Sequence, residues 1–193
     1  MSTLLVAAIQ DVAGAGSKAT LPTAGSNFTL GAGWGALEFV SSANISAATN
    51  LDVTSLAAGY DYIFSIQGAV PVTDGTTMLC RISQSTTFDT GSNYADQNAI
   101  NSTSIELIAS AAGNVATEGF STDVLFRNPG GTGYYRAITH SGLRFTASGT
   151  AATITPGGQF VGDTGACDGI RFFLASGNWQ ALGKIQVFRR RLS

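Results

Sequence analysis

The chain has 193 residues with 12 acidic and 10 basic side chains, a formal charge of −2 and a pI near 5.2, enough for one domain or one domain plus an arm. Charged residues make up 11%, under half of the usual ~25%, so there is no basic field to wrap a polyanion, and nucleic-acid binding as a main activity is excluded. No run of about 18 apolar residues is present to span a membrane as a helix.

The segment from residue 1 to 36 carries Gly14-Ala15-Gly16-Ser17, Leu21-Pro22-Thr23-Ala24-Gly25 and Gly31-Ala32-Gly33-Trp34-Gly35, with little regular alternation. It reads as an arm that cannot offset its own ordering entropy and must lie on its domain or on a partner. Leu4, Leu5, Ile9, Leu21 and Phe28 are its candidate docking anchors. The start lacks the cationic flank and the length of a secretory signal, which points to a product of the cytosol.

From Leu37 to residue 193 the chain reads as short strands between turns. The polar surface is built from 22 Thr, 19 Ser and 9 Asn, with only three Glu and two Lys, which favours strands and turns over helices. After Leu37 to Val40, the clearest strand begins at Tyr60, where Tyr60, Tyr62, Phe64 and Ile66 share one face and Ile63 breaks the polarity of the other. Met78, Cys80 and Ile82 alternate in the next run. Thr86 to Thr103 is a long polar stretch without clear period, holding Asp89, Asn93, Tyr94, Asp96, Asn98 and Asn101, and it reads as the largest loop. Strands follow at Ser104 to Ile108, Thr122 to Arg127, Tyr134 to Thr139, Leu143 to Ala147, Ala152 to Thr155, Ile170 to Ala175 and Leu182 to Arg191. Turns fall at Asn128-Pro129-Gly130-Gly131, His140-Ser141-Gly142, Pro156-Gly157-Gly158 and Ser176-Gly177-Asn178. About ten strands at this spacing predict an all-β antiparallel sandwich.

Chemistry-bearing residues are sparse. His140, the single histidine, is expected to be a solvated turn residue, and no second histidine or close cysteine pair completes a zinc site. Cys80 and Cys167 are expected as reduced, buried thiols. Gly14-Ala15-Gly16-Ser17-Lys18 fails the phosphate-loop spacing, and Gly31-Ala32-Gly33 opens no helix. Asp89 and Asp96 match no calcium loop, and most carboxylates sit in turn contexts such as Asp74-Gly75 and Asp163-Thr164-Gly165. The expectation is therefore a non-enzyme without cofactor or metal. Arg189-Arg190-Arg191 is either a solvated strand end or a contact to an acidic neighbouring subunit. Trp179, in Gly177-Asn178-Trp179, reads as a hairpin tip that either meets a sugar or protein or packs on its stem. Tyr94, Asp96, Asn98 and Trp179 form the candidate glycan or receptor contact.

Three stretches carry a resemblance: Tyr60-Asp61-Tyr62-Ile63-Phe64 through Pro71, Asp74 and Leu79-Cys80-Arg81-Ile82-Ser83; Asp123-Val124-Leu125-Phe126-Arg127-Asn128-Pro129; and Gly169-Ile170-Arg171-Phe172-Phe173 with Ser176-Gly177-Asn178 and Gly183-Lys184-Ile185-Gln186-Val187-Phe188. Over about residues 37 to 191 the chain resembles the small β-sandwich proteins of tailed-bacteriophage virions, found as head fibres, capsid decorations and tail fibres. The resemblance implies a jelly-roll-like sandwich, a homo-oligomer with a trimer favoured, and an N-terminal segment attached to other virion proteins of capsid or tail. It also implies synthesis in the host bacterial cytoplasm, display on the virion and, for a tail fibre, host adsorption through a surface glycan. It brings no catalytic residues.

Overall fold

The computed structural model describes residues 37–96, 99–146, 148–154 and 157–192, the backbone alone at 109–111, and three short backbone segments nearer the N-terminus. Those three are β1 (Ile9–Gln10), β2 (Ser17–Thr20) and β3 (Thr29–Leu30), which pair in the order β1-β2-β3. The remaining strands are β4 (Leu37–Asn44), β5 (Asn50–Thr54), β6 (Tyr60–Ala69), β7 (Thr76–Gln84), β8 (Thr87–Phe88), β9 (Tyr94–Asp96) and β10 (Ile100–Ser102). They continue as β11 (Ile105–Ala112), β12 (Gly119–Phe126), β13 (Arg136–Phe145), β14 (Ala151–Ile154), β15 (Gly157–Phe160), β16 (Gly169–Leu174) and β17 (Lys184–Arg191). The described residues contain no helix.

Two antiparallel sheets pack face to face. The larger has nine strands, in the order β10-β9-β15-β13-β12-β6-β17-β4 with β14 beside β13. The smaller has five, in the order β11-β7-β16-β5 with β8 beside β7. The all-β sandwich expected from the alternation is present, with fourteen strands in place of about ten.

Period-two patterning builds the core. Tyr62, Phe64 and Ile66 of β6 point inward, as do Met78, Cys80 and Ile82 of β7 and Ile170, Phe172 and Leu174 of β16. The Phe64 and Phe172 rings meet edge to face across the sheets at 5.5 Å. Each such side chain removed from water contributes roughly 1.5–3 kcal/mol.

Several expectations fail locally. The turn expected at His140-Ser141-Gly142 lies in the middle of β13, which runs unbroken through both strands read on either side of it. Gly142 is there because its strand passes close to the neighbouring one: a Cβ would lie 2.4 Å from the Ser121 carbonyl oxygen. Gly157 and Gly158 open β15 instead of a turn, and a Cβ on Gly158 would strike Ile105 at 2.7 Å. The polar stretch 86 to 103 contains β8, β9 and β10, and β5 has no counterpart in the sequence reading.

One turn stores strain. Ser85 and Thr86 join β7 to β8 with φ of 49° and 67°, the left-handed conformation that two-residue hairpins need and that a β-branched residue resists. Asp168 holds the turn, accepting from the Thr86 N–H at 2.7 Å and from the Ser83 hydroxyl. Thr86→Gly keeps that N–H and removes the Cβ clash. It is expected to raise stability by about 1 kcal/mol in denaturant unfolding, and a loss of stability would show that the turn is unstrained.

Candidate functional site

Of the residues expected at a site, Tyr94 and Asp96 share β9, and Trp179 lies beyond β16. Leu4, Leu5, Leu21 and Phe28 lie outside the described residues, Ile9 falls in the two-residue β1, and Asn98 is likewise outside. Tyr94 is buried: its hydroxyl accepts from the Ile82 N–H at 3.0 Å and donates to the Asp89 carbonyl at 3.2 Å, while its ring packs on Phe160. Desolvation pushes this phenol above its ordinary pKa. Asp96 is half-buried and takes the N–H groups of Ala99 (2.9 Å) and Glu106 (3.0 Å), so it organises backbone. Tyr94 and Asp96 are staples of this segment.

Of the two readings of Trp179, the structure shows the packed one and corrects the glycan contact: the ring is fully buried, bridged to Pro71 through the backbone and set edge-on to Phe120 at 6.0 Å. The residues before it, from Ala175 to Asn178, stay exposed, so the turn is at the surface but the aromatic closes one end of the core. Neither Tyr94 nor Trp179 has a face open to a sugar.

His140 differs too. It points inward from β13, is 6% exposed, and among the described residues neither ring nitrogen has a hydrogen-bond partner. Burial lowers its pKa to about 4. Cys80 and Cys167 are free and buried. Desolvation raises both thiols, Cys167 to about 11, so both are protonated at neutral pH and poor nucleophiles. Asp89 accepts from the Asn93 amide at 3.0 Å, and among the described residues no three His, Cys, Asp or Glu side chains gather as metal ligands. At the C-terminal strand, Arg189 pairs with Glu38 at 2.8 Å and Arg190 with Asp61 at 2.7 Å, so two of the three arginines are used within the chain.

The most organised polar feature is one that sequence reasoning missed. Arg136 begins β13 and is wholly buried, yet among the described residues it forms no salt bridge. Its guanidinium donates to the carbonyls of Pro129 (3.0 Å), Thr164 (3.2 Å), Gly165 (2.7 Å), Gly131 and Tyr134. Carbonyl dipoles thus solvate the cation internally and tie two loops, 127–135 and 161–168, into one platform. The Gly133 N–H bonds Thr164 across the same junction at 3.0 Å. Asp163, on the second loop, accepts from Gln84 at 2.9 Å and from the Gly165 N–H, which hold its carboxyl below the usual range.

On that platform stand the exposed tyrosines. Tyr134 and Tyr135 are 43% and 50% exposed. The Arg136 guanidinium lies 4.6 Å from the Tyr134 ring centre, and the Tyr134 hydroxyl accepts from the Asn128 amide. Preorganised adjacent aromatics with amide and hydroxyl neighbours can take an apolar sugar face or a protein loop. The sequence signal for them was the Tyr-Tyr pair beside Gly130-Gly131, which the alternation had assigned to a strand.

Comparison with protein-family models, curated proteins and solved structures finds no match to this chain. No helix of the described residues is long and apolar enough to cross a membrane.

The buried histidine carries a pH dependence. Between about pH 6.5 and 4 the unfolded chain binds a proton at His140 and the folded chain does not, so stability falls as pH drops through that window and is flat above it. Roughly 2–3 kcal/mol is expected to be lost by pH 4. Denaturant unfolding from pH 7.5 to 4.5 measures it; His140→Leu should flatten the profile, and an equally steep profile in that variant would assign the effect to carboxylates.

Proposed function

We propose that this chain is a non-enzymatic virion structural protein, a capsid decoration, head fibre or tail fibre, whose N-terminal segment attaches to other virion proteins and whose sandwich is displayed. The observation that carries this reading is the placement of the three resembling stretches. They form β6, β7, β12, β16 and β17, adjacent strands at the centre of both sheets, so the resemblance covers the architectural middle of the fold. The two-sheet antiparallel sandwich is the fold the resemblance implies. Low charge suits such a role, because subunits pack closely without desolvating many ions. The chain is then a homo-oligomer on the particle, made in the host bacterial cytoplasm. The test is mass spectrometry of particles purified from the replicon that encodes it. The protein is expected at a fixed copy number relative to the major capsid protein and lost when its gene is deleted; particles without it in the wild type would refute the assignment.

A second reading is a receptor- or glycan-binding module of a tail fibre, and the exposed Tyr134 and Tyr135 favour it. Here the contact residues are Tyr134, Tyr135 and Asn128 in place of Tyr94 and Trp179. A glycan array on the full chain should show selective binding that Tyr135→Ala reduces at least tenfold while the unfolding midpoint stays unchanged. No selective binding by the wild type would remove this reading.

A further inference from the structure

The outer faces of the two sheets are finished differently. On the smaller sheet, Arg171 makes a two-point contact with Asp52 at 2.7 Å and lies 4.1 Å from the Phe88 ring centre. Arg81 covers Phe173 at 4.7 Å, so the outward aromatics there are capped by the chain's own cations. On the larger sheet, four outward apolar side chains stand in register across four adjacent strands: Phe39 of β4 beside Phe188 of β17, beside Ile63 of β6, beside Leu125 of β12. Phe39 is 60% exposed, the other three are half-buried, and among the described residues no cation is stacked on the row. A continuous apolar row on the outer face of a sheet is unusual for a surface meant to stay wet.

Charge flanks this row with opposite signs. On one side Arg190 and Arg127 share the single carboxylate of Asp61, at 2.7 and 4.0 Å, leaving that side net positive. On the other side Asp123 stands level with Ser65 and Ser141. Along β12 and its end, the outward residues therefore read Asp123, Leu125, Arg127: anion, apolar, cation, at two-residue intervals of about 7 Å. Reversing the strand direction exchanges the two signs.

From this self-complementary order we infer that the outer face of the larger sheet pairs with the same face of a second copy about a two-fold axis. The apolar rows stack on one another, and Asp123 of each copy faces Arg127 of the other. A parallel arrangement would set like charges opposite. Isologous pairing of aligned sheets has this symmetry, and it produces an even number of copies where the virion resemblance implies three. The inference rests on the surface alone and stands or falls independently of virion membership.

The test is the native mass of the full-length chain by light scattering after size exclusion, with sedimentation over a dilution series. A mass of twice 19.8 kDa is expected. Leu125→Lys should convert it to single chains, Asp123→Arg should weaken association at least tenfold, and Val72→Lys, exposed far from the row, should change nothing. Thermal unfolding of each variant checks that the fold is kept; should Leu125→Lys fail to fold, Phe39→Lys, on the exposed edge strand, replaces it. Single chains or trimers for the wild type would overturn the pairing, as would a dimer indifferent to these substitutions. A wild-type monomer would mean that the N-terminal segment or a particle protein covers the row.

Discussion

The contact on which the rest of the structure depends is the one between the sheets, centred on Phe64 and Phe172. Neither sheet could hold its shape alone, since each presents a mainly apolar inner face that separation would expose to water. Phe64 is joined through β6 to β12 and β17, and Phe172 through β16 to β7 and β5, so one cross-sheet contact sits at the junction of both hydrogen-bonded networks. The short strands β8, β9 and β10 are peripheral and hang on Asp168, Tyr94 and Asp96.

Buried polar groups divide into two kinds. Arg136 has its donors met by main-chain carbonyls, and it stiffens two loops into a surface that presents Tyr134 and Tyr135. His140 is held neutral in an apolar layer, which couples the fold to acid without making a base poised for catalysis near neutral pH. Both thiols are protonated and inaccessible. What is prominent in the described part of this molecule is surface: a rigid tyrosine platform and a row of apolar side chains bordered by opposite charges.

These two surfaces are the ones on which the proposed attachment role rests. They lie on different features, one on loops beyond the ends of β12 and β13 and one across the face of the larger sheet. Self-association through the sheet therefore leaves the tyrosines available to another molecule. The edge strand β4 is exposed along all eight residues, and its Phe39 forms one end of the apolar row.

By itself the sequence determined the fold class, because alternation needs only period two. Tyr62, Phe64 and Ile66, and Met78, Cys80 and Ile82, are legible as inward faces wherever the strands go. Ile63 was legible as an anomaly in that pattern, and it is one member of the outward apolar row. The meaning of glycine was not legible: Gly142 and Gly158 look like turn formers, and only the approach of Ser121 and Ile105 shows that they are spacers inside strands. For the same reason His140 was read as exposed when strand continuity buries it. The candidate site was least legible of all. Trp179 and Tyr94 are aromatics in polar surroundings along the chain, but burial is a property of the neighbours in space, and packing against Phe120 and Phe160 draws them inward. Arg136 could not be read as a loop clamp because its carbonyl partners come from segments some thirty residues apart, and only the tertiary structure brings those segments to one guanidinium.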